Sequence, residues 1–162
     1  MEKQGEYTAK EREEAWEDFN IFLFNMDDIL EAFIEQAEGY GYRLDYSLNS
    51  LDQLETYAIK MDAKPLSDFH GHASQYLGET VRKCFGGHWN LSLNMKENSL
   101  NYGKPVIIEH TKYDVEFPPY QIFRNFLIRP IHGVLKRAVL NDVSPMLLDL
   151  SHLPTEEEPT ED

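Results

Sequence analysis

Cysteine is nearly absent from this chain: among its 162 residues Cys84 stands alone, so no intramolecular disulfide can form and a reducing compartment is the simplest home. The same shortage excludes Cys-rich zinc sites and iron–sulfur ligation. Long apolar runs are also missing. The longest near-apolar stretch, Ile21 to Phe24, falls far short of the roughly 20 residues that cross a bilayer. The opening segment MEKQGEYTAKEREE has neither an apolar signal core nor a small-residue cleavage pattern. A cytoplasmic protein with no membrane contact is expected. Nor does the chain carry a GxxxxGK[ST] phosphate loop, a GxGxxG turn, a GxSxG nucleophile elbow or an HExxH zinc helix. No catalytic residues, no cofactor and no metal site are therefore expected.

Acid is plentiful and unevenly spread. The formal net charge is −14, which repels nucleic acid and anionic membrane at long range and favours encounter with a basic partner. The plainer meaning of such acidity is solubility. Thr155 to Asp162 holds five acids and no base. Phe117 to Asn141 holds no acid, and Arg124, Arg129, Lys136 and Arg137 form a basic patch there. That patch is suited to neutralising the chain's own acidic helix or tail, or to docking an acidic partner.

The hydrophobic period sets the layout. Trp16, Phe19, Leu23, Met26, Leu30, Phe33 and Ala37 recur at three- and four-residue steps and predict a helix over about Thr8 to Glu38, ended by Gly39 and Gly41. A short extended piece, Leu44 to Ser47, comes next. Ser50 and Gln53 form a capping-box pattern before a helix from Leu51 to Met61. After Pro65 a further helix spans about Leu66 to Phe85, with Phe69, Ala73, Tyr76, Leu77, Thr80, Val81 and Cys84 on its buried side and Gly86-Gly87 stopping it. The period then shortens to two: Trp89, Leu91 and Leu93 alternate with Asn90, Ser92 and Asn94, a strand whose hairpin partner is Val106 to Ile108. Thr111 to Glu116 suits a third short strand. Pro118-Pro119 opens a last helical region that Pro130 interrupts. Helices, then a small antiparallel sheet, then helices again read as one α+β domain over 1–153, with a disordered acidic tail over 154–162.

One row of side chains stands out. Asp68, His72, Gln75, Glu79 and Arg82 are spaced four, three, four and three, so they share one stripe of the third helix. In a cleft, Glu79 and His72 would suit proton transfer, with Arg82 holding an anion. The bland meaning is an exposed face with a Glu79–Arg82 ion pair worth a few tenths of a kcal/mol. His70 and His72 diverge by about 200° on a helix and cannot share an ion there; surface or half-buried positions suit them. Cys84 suits a small buried hydrophobe, and Trp89 a core anchor, since no basic residues surround it.

Two stretches carry a likeness. LDYSLNSLDQLETY (Leu44 to Tyr57) and YLGETVRKCFGGHW (Tyr76 to Trp89) resemble an uncharacterised family of small bacterial cytoplasmic proteins with a YLGE…R…GG.W core, over roughly Leu44 to Leu127. On that resemblance Gly78, Glu79, Arg82, Gly86, Gly87 and Trp89 are the motif positions. The likeness brings no activity with it, but points to the neighbourhood of toxins and other conflict systems. Two functional expectations stand together. One is a non-catalytic, immunity-type binder of a basic toxin or other basic partner; homodimerisation through the long first helix stays open. The other is a small enzyme or ligand-binding domain using the His72/Glu79/Arg82 stripe.

Overall fold

Thr8 opens the longest helix, its hydroxyl accepting the Glu11 amide at 3.2 Å and so satisfying one of the orphan donors of a helix start. Helix α1 runs Ala9–Gly39. It closes where the Tyr42 amide reaches back to the Ala37 carbonyl at 2.9 Å across Gly41, whose φ of 90° lies in the left-handed region that glycine adopts without strain. The computed structural model describes residues 5–143. Within them α2 is Ser50–Lys60, α3 Asp68–Phe85, β1 His88–Leu91, β2 Pro105–Ile108, α4 Pro119–Ile128 and α5 Val134–Val143. The class is α+β: helices flank a two-stranded antiparallel sheet in which Trp89 faces Ile107 and Leu91 faces Pro105. The expected boundary at 153 and the acidic tail over 154–162 lie outside the described residues.

Helix α3 is the axis of the fold. It packs against α1, α2, α4 and β2, and every residue from Ala73 to Val81 is buried. Such all-round burial is what a helix in the middle of a core looks like, whereas a stripe marks one at the edge. Leu30, Phe33 and Ala37 of α1, Leu51, Leu54 and Tyr57 of α2, and Phe123 and Phe126 of α4 close around it. Each of the leucine and phenylalanine side chains among them contributes about 1.5–3 kcal/mol by leaving water. Helix α2 is placed by a relay: Tyr76 Oη accepts the Tyr46 amide at 2.8 Å and meets Ser50 Oγ at 2.6 Å, while Ser50 Oγ donates to the Ser47 carbonyl.

Several local expectations are corrected. Ser50 is not a cap; Asn49 precedes the helix and Ser50 is turned inward to the Tyr76 relay. Leu44 to Ser47 is not extended, because Asp45 accepts both the amide and the hydroxyl of Ser47, and Tyr46 takes a φ of 63°. Thr111 to Glu116 forms no strand; the sheet gains only a single bridge, Ile107 to Phe117. Trp16 and Leu23 share the apolar face of α1 yet stay more than a third exposed, although Phe19 and Met26 on the same face are buried. Cys84 is exposed rather than buried: it sits in the last turn of α3, beyond the stretch that the neighbouring helices cover.

His70 joins the start of α3 to α4. Its Nδ1 accepts the Leu66 amide at 2.9 Å, so its Nε2 carries the proton and donates to the Tyr120 carbonyl at 2.9 Å. Only the neutral ring can do both. Burial, the largest influence, drives its pKa below the usual 6.5. The unfolded chain thus binds a proton that the folded chain resists, and stability falls with pH in this window. The stabilisation is complete above about pH 6.5 and lost as pH falls toward the lowered folded value. We expect denaturant titrations of wild type to show stability declining below about pH 6.5, with a flatter profile for His70→Gln. Parallel profiles would contradict the assignment.

Candidate functional site

Gly78, Glu79, Arg82 and Trp89 meet at one point inside the molecule. Glu79 projects from α3 and is only 5 % exposed. Its Oε1 accepts the indole N–H of Trp89 at 2.7 Å and the Arg82 Nε–H at 2.9 Å, and its Oε2 accepts from a terminal Arg82 nitrogen at 2.9 Å. The guanidinium fork is bidentate, the strongest form of this pair. Gly78 makes room for the indole: a Cβ there would lie 2.2 Å from Cη2 and 2.4 Å from Cζ2 of Trp89. Gly87, at φ 84°, lets the chain pass β2 so closely that a Cβ would meet the Ile108 carbonyl oxygen at 2.4 Å. Phe22 of α1 covers the indole edge-on at 5.2 Å. Gly86 ends α3 at φ 89°.

This arrangement answers what the Glu79 carboxylate can do. Burial, the largest single influence, pushes its pKa up. The hydrogen bonds from Arg82 and Trp89 and the charges of Arg82 and Lys83 together outweigh that and hold it below the usual carboxylate range. An ionised group with both oxygens occupied is poorly suited to exchange protons near neutrality.

The rest of the predicted stripe is scattered. Asp68 is exposed in the first turn of α3, and His72 is half-buried with its ring edge-on to Phe33 at 6.3 Å. Gln75 is buried, its Oε1 without a hydrogen-bond partner among the described residues. His70 and His72 do diverge, one toward Tyr120 and the other toward Phe33; His70, however, is buried rather than at the surface. None of five surface hollows, about 250–550 Å³ each, has a stripe residue in its wall. Cys84 is no nucleophile candidate: partial desolvation of the thiol, followed by the Asp45 charge, raises its pKa, and the thiol donates to the Tyr46 carbonyl at 3.3 Å.

The outside of α1 is different in kind. Glu11, Glu13, Glu14, Glu17, Asp18, Asp27, Asp28, Glu31, Glu35 and Glu38 are all exposed, and among the described residues none forms an ion pair. Asp27, Glu31, Ile34, Glu35 and Glu38 wall an open hollow of about 550 Å³ with Tyr46 at its far side. A second hollow of about 440 Å³, from Ile34 and Glu38 to Asp45, continues it. Burial, then the charge of Glu79, pushes the Tyr46 hydroxyl up to about 12, so it stays protonated. Phe24, 86 % exposed, and Ile21 lie just N-terminal to the groove. Of the basic patch, Arg124, Arg129 and Arg137 are exposed, and Lys136 donates to Asn49 at 2.7 Å. None of the four pairs with a described carboxylate, so any neutralisation of α1 is at long range.

Sequence reasoning missed Glu55. Only 1 % exposed, it accepts the Gly133 amide at 2.8 Å and the Leu135 amide at 3.1 Å, anchoring the start of α5 to α2. A charged residue inside an otherwise apolar stripe (Leu51, Leu54, Ala58) was the available signal. Comparison with protein-family models, with curated proteins and with solved structures finds no match to this chain.

Two substitutions test the interior reading. Trp89→Phe strands one carboxylate acceptor and should cost about 1–3 kcal/mol in denaturant unfolding. Gly78→Ala drives a methyl into the indole and should cost about 1–3 kcal/mol. Wild-type stability in both would refute the packing described.

Proposed function

We propose that this protein is a non-catalytic binding protein that captures a basic protein partner along the acidic groove of α1. The observation that carries the reading is the acidic surface itself: Asp27, Glu31, Glu35 and Glu38 line one open, shallow hollow and form no ion pair among the described residues. Phe24, Asp28, Glu31 and Glu35 follow one another at steps of four, three and four, so an apolar anchor heads the same stripe. An aromatic contact beside unpaired charge suits an interface in which charge steers encounter and the aromatic contributes affinity. The finer form of the proposal is an immunity-type role in a bacterial cytoplasm, neutralising a basic toxin. It rests on the YLGE…R…GG.W likeness together with this surface.

Proton-transfer chemistry at His72, Glu79 and Arg82 draws no comparable support. Glu79 is buried and fully hydrogen-bonded, and none of these side chains opens into the hollows described.

The test is affinity capture of the full chain at low and moderate salt, in parallel with the Asp27→Lys/Glu31→Lys/Glu35→Lys variant. A single stoichiometric basic partner is expected, with an association rate that falls about 10-fold or more with salt or charge reversal. Capture indifferent to both, or no partner at either salt, would overturn the proposal.

A further inference from the structure

Glu55 has a second neighbour besides the backbone of α5. The Nδ1 of His132, in the turn between α4 and α5, lies 3.4 Å from Glu55 Oε1. Asp52 stands three residues earlier on α2, and one ligand atom from each of the three lies within 4.8 Å of the others. The Glu55–His132 spacing is informative. It is long for a charge-assisted hydrogen bond, about 2.7–2.9 Å. It matches the edge of a tetrahedron with metal–ligand bonds of about 2.0–2.1 Å, which is roughly 3.4 Å. We infer that Asp52, Glu55 and His132 form a mononuclear site for a divalent first-row cation, Zn²⁺ being the best chemical fit.

Charge favours it. Two carboxylates are held together, one almost fully buried, and no lysine or arginine among the described residues pairs with either. Lys136, in the first turn of α5, is turned to Asn49 instead. The positive end of α5 opposes a cation with the equivalent of about half a charge. Two full negative charges face it. Each carboxylate oxygen has more than one lone pair, so Glu55 can bind the cation while still accepting the Gly133 and Leu135 amides. Those bonds orient it, as outer hydrogen bonds orient metal ligands generally. The imidazole selects zinc-like ions over Ca²⁺ or Mg²⁺, which take oxygen alone. His132 is exposed, with 77 % of its side chain accessible, so its ring is free to reorient toward the two carboxylates.

Zn²⁺ titration of the chelator-stripped full chain by calorimetry tests this, with Co²⁺ absorption as a second readout. His132→Ala and Asp52→Asn are the variants, because both side chains are accessible; Glu55 is left intact because α5 depends on it. Wild type should bind one Zn²⁺ per chain, give the intense visible bands of tetrahedral Co²⁺, and melt higher with metal. Each variant should bind at least tenfold more weakly while matching wild type in metal-free melting, and His72→Ala should bind as wild type does. Absence of one-to-one binding in wild type, or affinity within threefold of wild type in either variant, would overturn the site.

Discussion

A buried carboxylate organises this molecule. Glu79 sits near the middle of the most enclosed helix, where an unpaired charge would cost several kcal/mol. It is stable only because Arg82 from its own helix and Trp89 from the neighbouring strand converge on it. That requirement propagates. Trp89 reaches the carboxylate only if Gly78 leaves the space over α3 empty. The strand that carries Trp89 lies beside β2 only if Gly87 permits the close crossing. Phe22 of α1 then closes over the indole. One polar interaction thereby fixes the relative placement of α3, β1, β2 and α1.

Glu55 repeats the device at the other end. Its carboxylate joins α2 to the first turn of α5 through two amides, as Glu79 joins α3 to the sheet. The interior polar groups therefore act as connectors between elements. Unpaired acidic charge gathers on the outer face of α1, the surface on which a basic partner is proposed to dock.

Much of the architecture was legible because it depends on period alone. The three-four repeat of α1 and the two-residue alternation of Trp89, Leu91 and Leu93 both survive into the structure as helix and strand. The placement of α3 was not legible. A stripe of polar residues ordinarily means a solvated face, and Gln75 and Glu79 break that expectation because their surroundings come from residues distant in the chain. Cys84 errs in the opposite sense: its period places it inward, but the cover stops short of it. Gly78, Glu79, Arg82 and Trp89 do meet in space, and their shared role is packing and charge compensation. Asp52, Glu55 and His132 could not be joined from the sequence, since only the turn between α4 and α5 brings the imidazole beside α2.

The central claim, that Trp89 is locked to Glu79 in the interior, is tested most directly by hydrogen exchange at the tryptophan indoles. The chain has two tryptophans, and Trp16, 39 % exposed, is the internal reference. The account predicts that the Trp89 indole proton exchanges only through global unfolding, while that of Trp16 exchanges rapidly. Equal and rapid exchange at both would contradict it.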